Sequence, residues 1–124
     1  MNDEQKKEIL FKLKFLKGLN YIEEEYEYGI KYISSKVILD FYRERYSDAF
    51  DASILFVEKN KCFSIGWIYY VRTNNVCKNN DCFSELLDIV GFFIKEYNNL
   101  LDINYCEDSN NMIEDYMDNI RKKN

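Results

Sequence analysis

Histidine and proline are both missing from this 124-residue chain, and its glycines number only four, at positions 18, 29, 66 and 91. Without histidine the chain lacks the commonest general base, the usual activator of a Ser or Cys nucleophile and the commonest metal ligand. Four scattered glycines cannot assemble GxxxxGK[ST], GxGxxG or GxSxG. The phosphate-cradling loops and nucleophile elbows of nucleotide hydrolases, dinucleotide oxidoreductases and α/β-hydrolases are thereby excluded. The only Glu-x-Lys is Glu4-Gln5-Lys6, inside a predicted helix, so the strand-borne acid and Glu-x-Lys pattern of metal-dependent nucleases fails as well. The longest apolar run, Ile89 to Ile94, is too short to span a bilayer. Met1 to Glu8 has acids where a secretory signal would place bases, so the expected location is the cytoplasm, with no membrane association.

What the chain has is negative charge and aromatic area. Twenty-two acids against 17 bases give a net charge of −5, which disfavours direct binding of nucleic acid, since that requires Lys and Arg to displace phosphate counterions. An acidic surface suits a basic protein partner instead. An apolar fraction of 47%, with 17% aromatic, is ample for the single core that this length allows. Of the four cysteines, Cys77 and Cys82 are spaced at the loose limit of a zinc knuckle and Cys62 and Cys106 are isolated, and a chain without an export signal is expected to keep its thiols reduced. No metal and no cofactor is expected, the minority alternatives being a four-thiolate zinc site or a redox pair of Cys77 and Cys82.

The apolar pattern predicts one α+β domain over residues 1–124. Ile9, Leu10, Leu13, Leu16 and Leu19 form the stripe of an N-terminal helix over 4–19, capped by Asn2 or Asp3 and ended at Gly18. The period then falls to two. Tyr26, Tyr28, Ile30 and Tyr32 predict a strand at about 25–33; Val37, Leu39 and Phe41 a second; Ile54 to Glu58 a third; and Phe63, Ile65, Trp67, Tyr69 and Val71 a fourth, central one. Short links favour a four-stranded antiparallel meander. After a polar loop from Thr73 to Cys82, Ser84 is expected to cap a helix carrying Leu86, Val90, Phe93 and Tyr97, and a last helix to follow Ser109. Two C-terminal helices then pack on one sheet face and leave the other partly open.

Two surface features bear on function. Glu23, Glu24, Glu25 and Glu27 form the densest acidic run, read either as a solvated junction or as a docking surface for a basic partner. Eleven tyrosines are the second feature. Tyr26, Tyr28 and Tyr32 with Tyr42 and Tyr46 can line a sheet face that is apolar in body and polar at its tips, rimmed by Arg43, Glu44, Arg45 and Asp48, or can belong to a tyrosine-rich core.

The stretch FYRERYSDAFDASILF, which ends at Phe56, resembles the small immunity proteins of bacterial polymorphic-toxin and contact-dependent inhibition systems. That resemblance implies a short, acidic, cytoplasmic α+β protein that binds one toxin domain and blocks its active or substrate surface. No site residue is carried over with it. The expectation is thus a non-catalytic inhibitor of a basic toxin or nuclease, using Glu23, Glu24, Glu25, Glu27, Tyr26, Tyr28, Tyr42, Tyr46, Asp48 and Asp51. The alternatives are a phage-encoded inhibitor of a host defence nuclease, resembling anti-CRISPR proteins, and an adaptor that forms a homodimer through the open sheet face.

Overall fold

The computed structural model describes residues 1–74 and 83–123. Asn2 starts the first helix, α1 (Asp3–Lys12), through a reciprocal cap: its side chain accepts from the Gln5 N–H at 2.8 Å, while Gln5 accepts from the Asn2 N–H at 3.1 Å. The helix breaks at Leu13 and resumes as the one-turn α2 (Phe15–Gly18), and Asn20 turns the chain with a left-handed φ of 67°. The predicted stripe survives the break at Ile9, Leu13 and Leu16, all fully buried, while Leu10 is half-buried and Leu19, past the break, is 50% exposed.

The sheet has five strands rather than four, in the order of the sequence and antiparallel throughout. They are β1 (Ile22–Tyr26), β2 (Gly29–Ile33), β3 (Val37–Arg43), β4 (Phe50–Phe56) and β5 (Lys61–Ser64). The single strand expected at 25–33 is a hairpin turning at Glu27 and Tyr28, so Tyr26 faces away from the core while Ile30 and Tyr32 face into it. Nothing in Glu27-Tyr28 announces a two-residue turn, since neither residue has the positive φ that marks an Asn-Gly hairpin. The requirement falls on Gly29 instead: a Cβ there would collide with the Phe41 carbonyl oxygen of the neighbouring strand. The third predicted strand begins earlier than expected, at Phe50.

The expected fourth strand is the largest correction. Only Lys61–Ser64 is extended, and Ile65–Thr73 is a helix, α3, capped by the Ser64 hydroxyl, which accepts from the Trp67 N–H at 3.1 Å. In a run where almost every residue is apolar, both periods fit. The helix is decided by burial of Ile65 and Ile68, one turn apart, with Trp67 left 40% exposed.

Three helices follow: α4 (Phe83–Lys95), α5 (Tyr97–Leu100) and α6 (Ile103–Lys123). Ser84 lies inside the first turn of α4, not at its cap. Ser109 does not open the last helix but sits buried within it, donating to the Tyr105 carbonyl and accepting from the Arg72 Nε at 2.9 Å. Cys106, expected between two helices, is also inside α6, its thiol donating to the Leu100 carbonyl. Among the described residues no helix is long and apolar enough to cross a membrane.

The core lies between one sheet face and the helices, where Ile30, Tyr32, Leu39, Phe41, Ala52 and Ile54 meet Ile65, Ile68, Leu86, Val90 and Phe93. It is an α+β antiparallel fold with its helices gathered on one side.

Candidate functional site

Strand alternation fixes what the other side presents. Residues that pair across antiparallel strands share a face, so the register lays three rows across the sheet. Ile22, Ile33, Ile38, Leu55 and Cys62 pair in sequence and form an apolar row. Glu24, Lys31, Asp40, Ser53 and Ser64 form a polar and charged row beside it. Tyr26, Gly29, Tyr42 and Asp51 form the third. Among the described residues every side chain in these rows is half-buried or exposed, and Ile22 is 69% exposed.

At the centre, the Tyr26 hydroxyl donates to the Asp40 carboxylate, 2.9 Å from both oxygens, and the Lys31 ammonium lies 5.0 Å from the Tyr26 ring centroid. Burial pushes the Asp40 carboxyl above its ordinary range, opposed by the Tyr26 hydroxyl and the Lys31 charge. Burial likewise raises the Tyr26 and Tyr42 hydroxyls, and the carboxylates facing them add to the shift. All three groups therefore hold their protons more firmly than in water, and the tyrosines stay neutral donors at physiological pH.

A stability consequence follows for Asp40. A carboxylate whose folded pKa exceeds its unfolded value stabilises the fold fully below the unfolded pKa of about 4, and that contribution is lost as pH rises through the folded value. Asp40→Asn keeps an acceptor for Tyr26 and removes the charge. Urea denaturation is expected to find the variant close to the wild type near pH 4 and more stable than it at pH 7. A variant less stable at pH 7 contradicts this account of the site.

The residues singled out in the sequence divide into groups. Glu24, Tyr26 and Tyr42 stand in the rows of the open face. Glu25 and Glu27 are exposed, on the outermost strand and its turn. Glu23 turns toward the core side instead, 3.3 Å from Lys17 and close to the buried Tyr32 hydroxyl. Tyr28 is half-buried in the turn, its ring 6.4 Å from that of Tyr26, and its carbonyl accepts from the Arg43 N–H. Tyr46 is 90% exposed in the β3–β4 loop, next to Arg45. Asp48 pairs with Arg43 at 2.6 Å and, with Met1, Asn2, Gln5 and Phe50, lines a separate cleft of about 390 Å³.

Asp51 has a structural job. One oxygen accepts from the Ser64 hydroxyl at 2.8 Å and the other from the Gly66 and Ala52 N–H groups, tying β4 to the start of α3. Its carboxyl is raised by burial, against those three hydrogen bonds. The sequence reading missed Lys31, Asp40 and Ser53. The signal for Asp40 was present, a lone carboxylate inside the apolar strand VILDFYR.

Among the described residues no group of three or more acids or cysteines could hold a metal ion. Cys77 and Cys82 lie outside the described residues. Cys62 is exposed at the end of the apolar row, whereas burial pushes the Cys106 thiol up to about 12, away from nucleophilic use.

The fold and this face define an α+β antiparallel meander clad by helices on one side. No family model matches the chain, and neither a curated protein nor a solved structure does.

Proposed function

We propose that this chain is a non-catalytic inhibitor, an immunity-type protein that binds a basic bacterial toxin domain and covers its active or substrate surface. The open face of the sheet is the contact surface. The observation that supports the reading is the set of three rows: an apolar strip for burial, the Glu24 and Asp40 carboxylates beside it for a cationic partner, and Tyr26 and Tyr42 as wide, stiff anchors. Glu25 and Glu27 extend the negative field along the edge strand, where charge also guards against strand addition by other chains. Asp48 and Tyr46 sit at the β3–β4 loop, and Tyr28 at the β1–β2 turn, as rim residues. Glu23 and Asp51 are already engaged within the fold and act through position.

The test starts from tagged protein in the native host, followed by identification and purification of what stays bound. A basic protein whose toxic activity is blocked in the complex supports the proposal. Unaided turnover of a substrate by the purified chain, or the lack of any bound protein, contradicts it.

A further inference from the structure

On the open face the register sets Asp40 of β3 opposite Lys31 of β2, where an ion pair is within reach, yet among the described residues none forms. The Lys31 ammonium rests against the Tyr26 ring instead, 5.0 Å from its centroid. The Asp40 carboxylate is left half-buried, and among the described residues its one donor is the neutral Tyr26 hydroxyl, 2.9 Å from both oxygens. Asp51, the other half-buried carboxylate on this face, receives three hydrogen bonds, from the Ser64 hydroxyl and from the Ala52 and Gly66 N–H groups. Asp40 has given up water without such replacement, which a charge tolerates poorly unless a cation meets it. Burial accordingly outweighs Tyr26 and Lys31 in setting its pKa. On its β4 side Asp40 pairs with Ser53, whose hydroxyl joins no hydrogen bond among the described residues, and Tyr42 stands two residues along the same face of β3.

We propose that Asp40 is the specificity-determining group of the open face and that it receives the guanidinium of one partner arginine, an assignment that rests on the inhibitory reading above. Charge complementarity selects the occupant. The carboxylate lacks a counterion, and Lys31, the cation best placed to supply one, is engaged on the Tyr26 ring. The Tyr26 hydroxyl sits between the two oxygens, so their outer lone pairs stay open, and the Ser53 hydroxyl across the register is a second acceptor beside them. Two neighbouring acceptors match the parallel N–H groups of a guanidinium, whose plane also stacks on a ring such as that of Tyr42. An ammonium carries its charge on one strongly hydrated atom and loses more water on entering a half-buried site. Glu24, exposed in the same row, adds only long-range attraction.

Two measurements read this. Titration of the isotopically labelled chain with N-acetyl-arginine amide at low ionic strength, followed by NMR, should give saturable shifts centred on Asp40 and Ser53. Affinity should be at least about threefold above that of the lysine analogue, and the neutral citrulline analogue should give no shift. Asp40→Asn should abolish the response while its spectrum stays that of the folded chain. Against the protein captured from the native host, Asp40→Asn should raise Kd at least about tenfold, mainly through faster dissociation, and Glu24→Gln by less than about threefold. The same Asp40→Asn chain should be the more stable one in urea at pH 7, whereas a residue that merely shaped the fold would lose stability and affinity together. Shifts that persist in Asp40→Asn, equal affinity for the arginine and lysine analogues, or wild-type binding of Asp40→Asn to the captured protein would overturn the proposal and leave the inhibitory reading standing. Absence of any captured protein contradicts the inhibitory reading instead, and the arginine titration still decides the assignment of Asp40.

Discussion

Phe93→Ala is expected to lower the unfolding free energy by about 4 kcal/mol, within the range for large aromatic truncations in a core. Phe93 is fully buried in α4 and is the middle link of an edge-to-face series of rings. Tyr32 meets Phe41 at 6.1 Å, Phe41 meets Phe93 at 5.3 Å, Phe93 meets Tyr97 at 5.5 Å and Tyr97 meets Phe15 at 5.7 Å. The series runs from β2 and β3 through α4 and α5 to α2, and the Tyr21 and Tyr97 hydroxyls, 2.9 Å apart, fasten its far end. Truncating the central ring removes two ring pairs as well as buried area and leaves a cavity with walls on three sides. Against a total stability of about 5–15 kcal/mol for a domain of this kind, the loss is large, roughly 15 °C in midpoint. Phe93→Leu should recover more than half of it. Urea denaturation with an unchanged slope measures the effect, and a loss under about 1 kcal/mol would show that the helices do not depend on this contact.

The second large effect concerns the open face. Glu24→Lys combined with Glu27→Lys changes the local charge by four units at two exposed positions that make no ion pair among the described residues. Stability should move little, because surface charges of this kind contribute within about 0.5 kcal/mol. Association with a basic partner should slow by about tenfold or more at low ionic strength, and its salt dependence should flatten or reverse, because steering acts on the encounter. Dissociation should change less. Glu23 is left out of this test because its pairing with Lys17 would confound binding with folding. Stopped-flow or surface-based kinetics on the captured partner provide the measurement, and unchanged association rates would move the contact surface away from β1.

Much of the fold was legible in the sequence, and the losses have physical causes. The Asn2 cap, the Ile9–Leu13–Leu16 stripe and β3 were readable from a clear period with a boundary residue, and α4 from its period alone, since Ser84 is not its cap and Tyr97 falls beyond its end in α5. The β1–β2 hairpin was not, since alternation continues through Glu27-Tyr28 and the glycine that matters answers to a neighbouring strand rather than to the turn. Residues 63–71 are apolar at almost every position, so no period could separate strand from helix, and the Ser64 cap was the only discriminating signal. Ser109 looked like a helix start because serine favours caps, while its partner Arg72 is 37 residues away. The acidic and tyrosine-bearing strands were recognised as a surface, but the rows of that surface depend on register. Only with Lys31 facing Asp40 and Tyr26 reaching it across the hairpin do the charges and rings acquire an order.

The central claim is that this chain acts by recognition through the bare side of its sheet. Amide hydrogen exchange of the chain, free and bound to the protein it captures from its native host, tests that most directly. The account expects slowed exchange on binding confined to β1–β3 and their turns, with α4 and α6 unchanged. Protection concentrated on the helices, with Ile22–Tyr26 exchanging at its free rate, would contradict it.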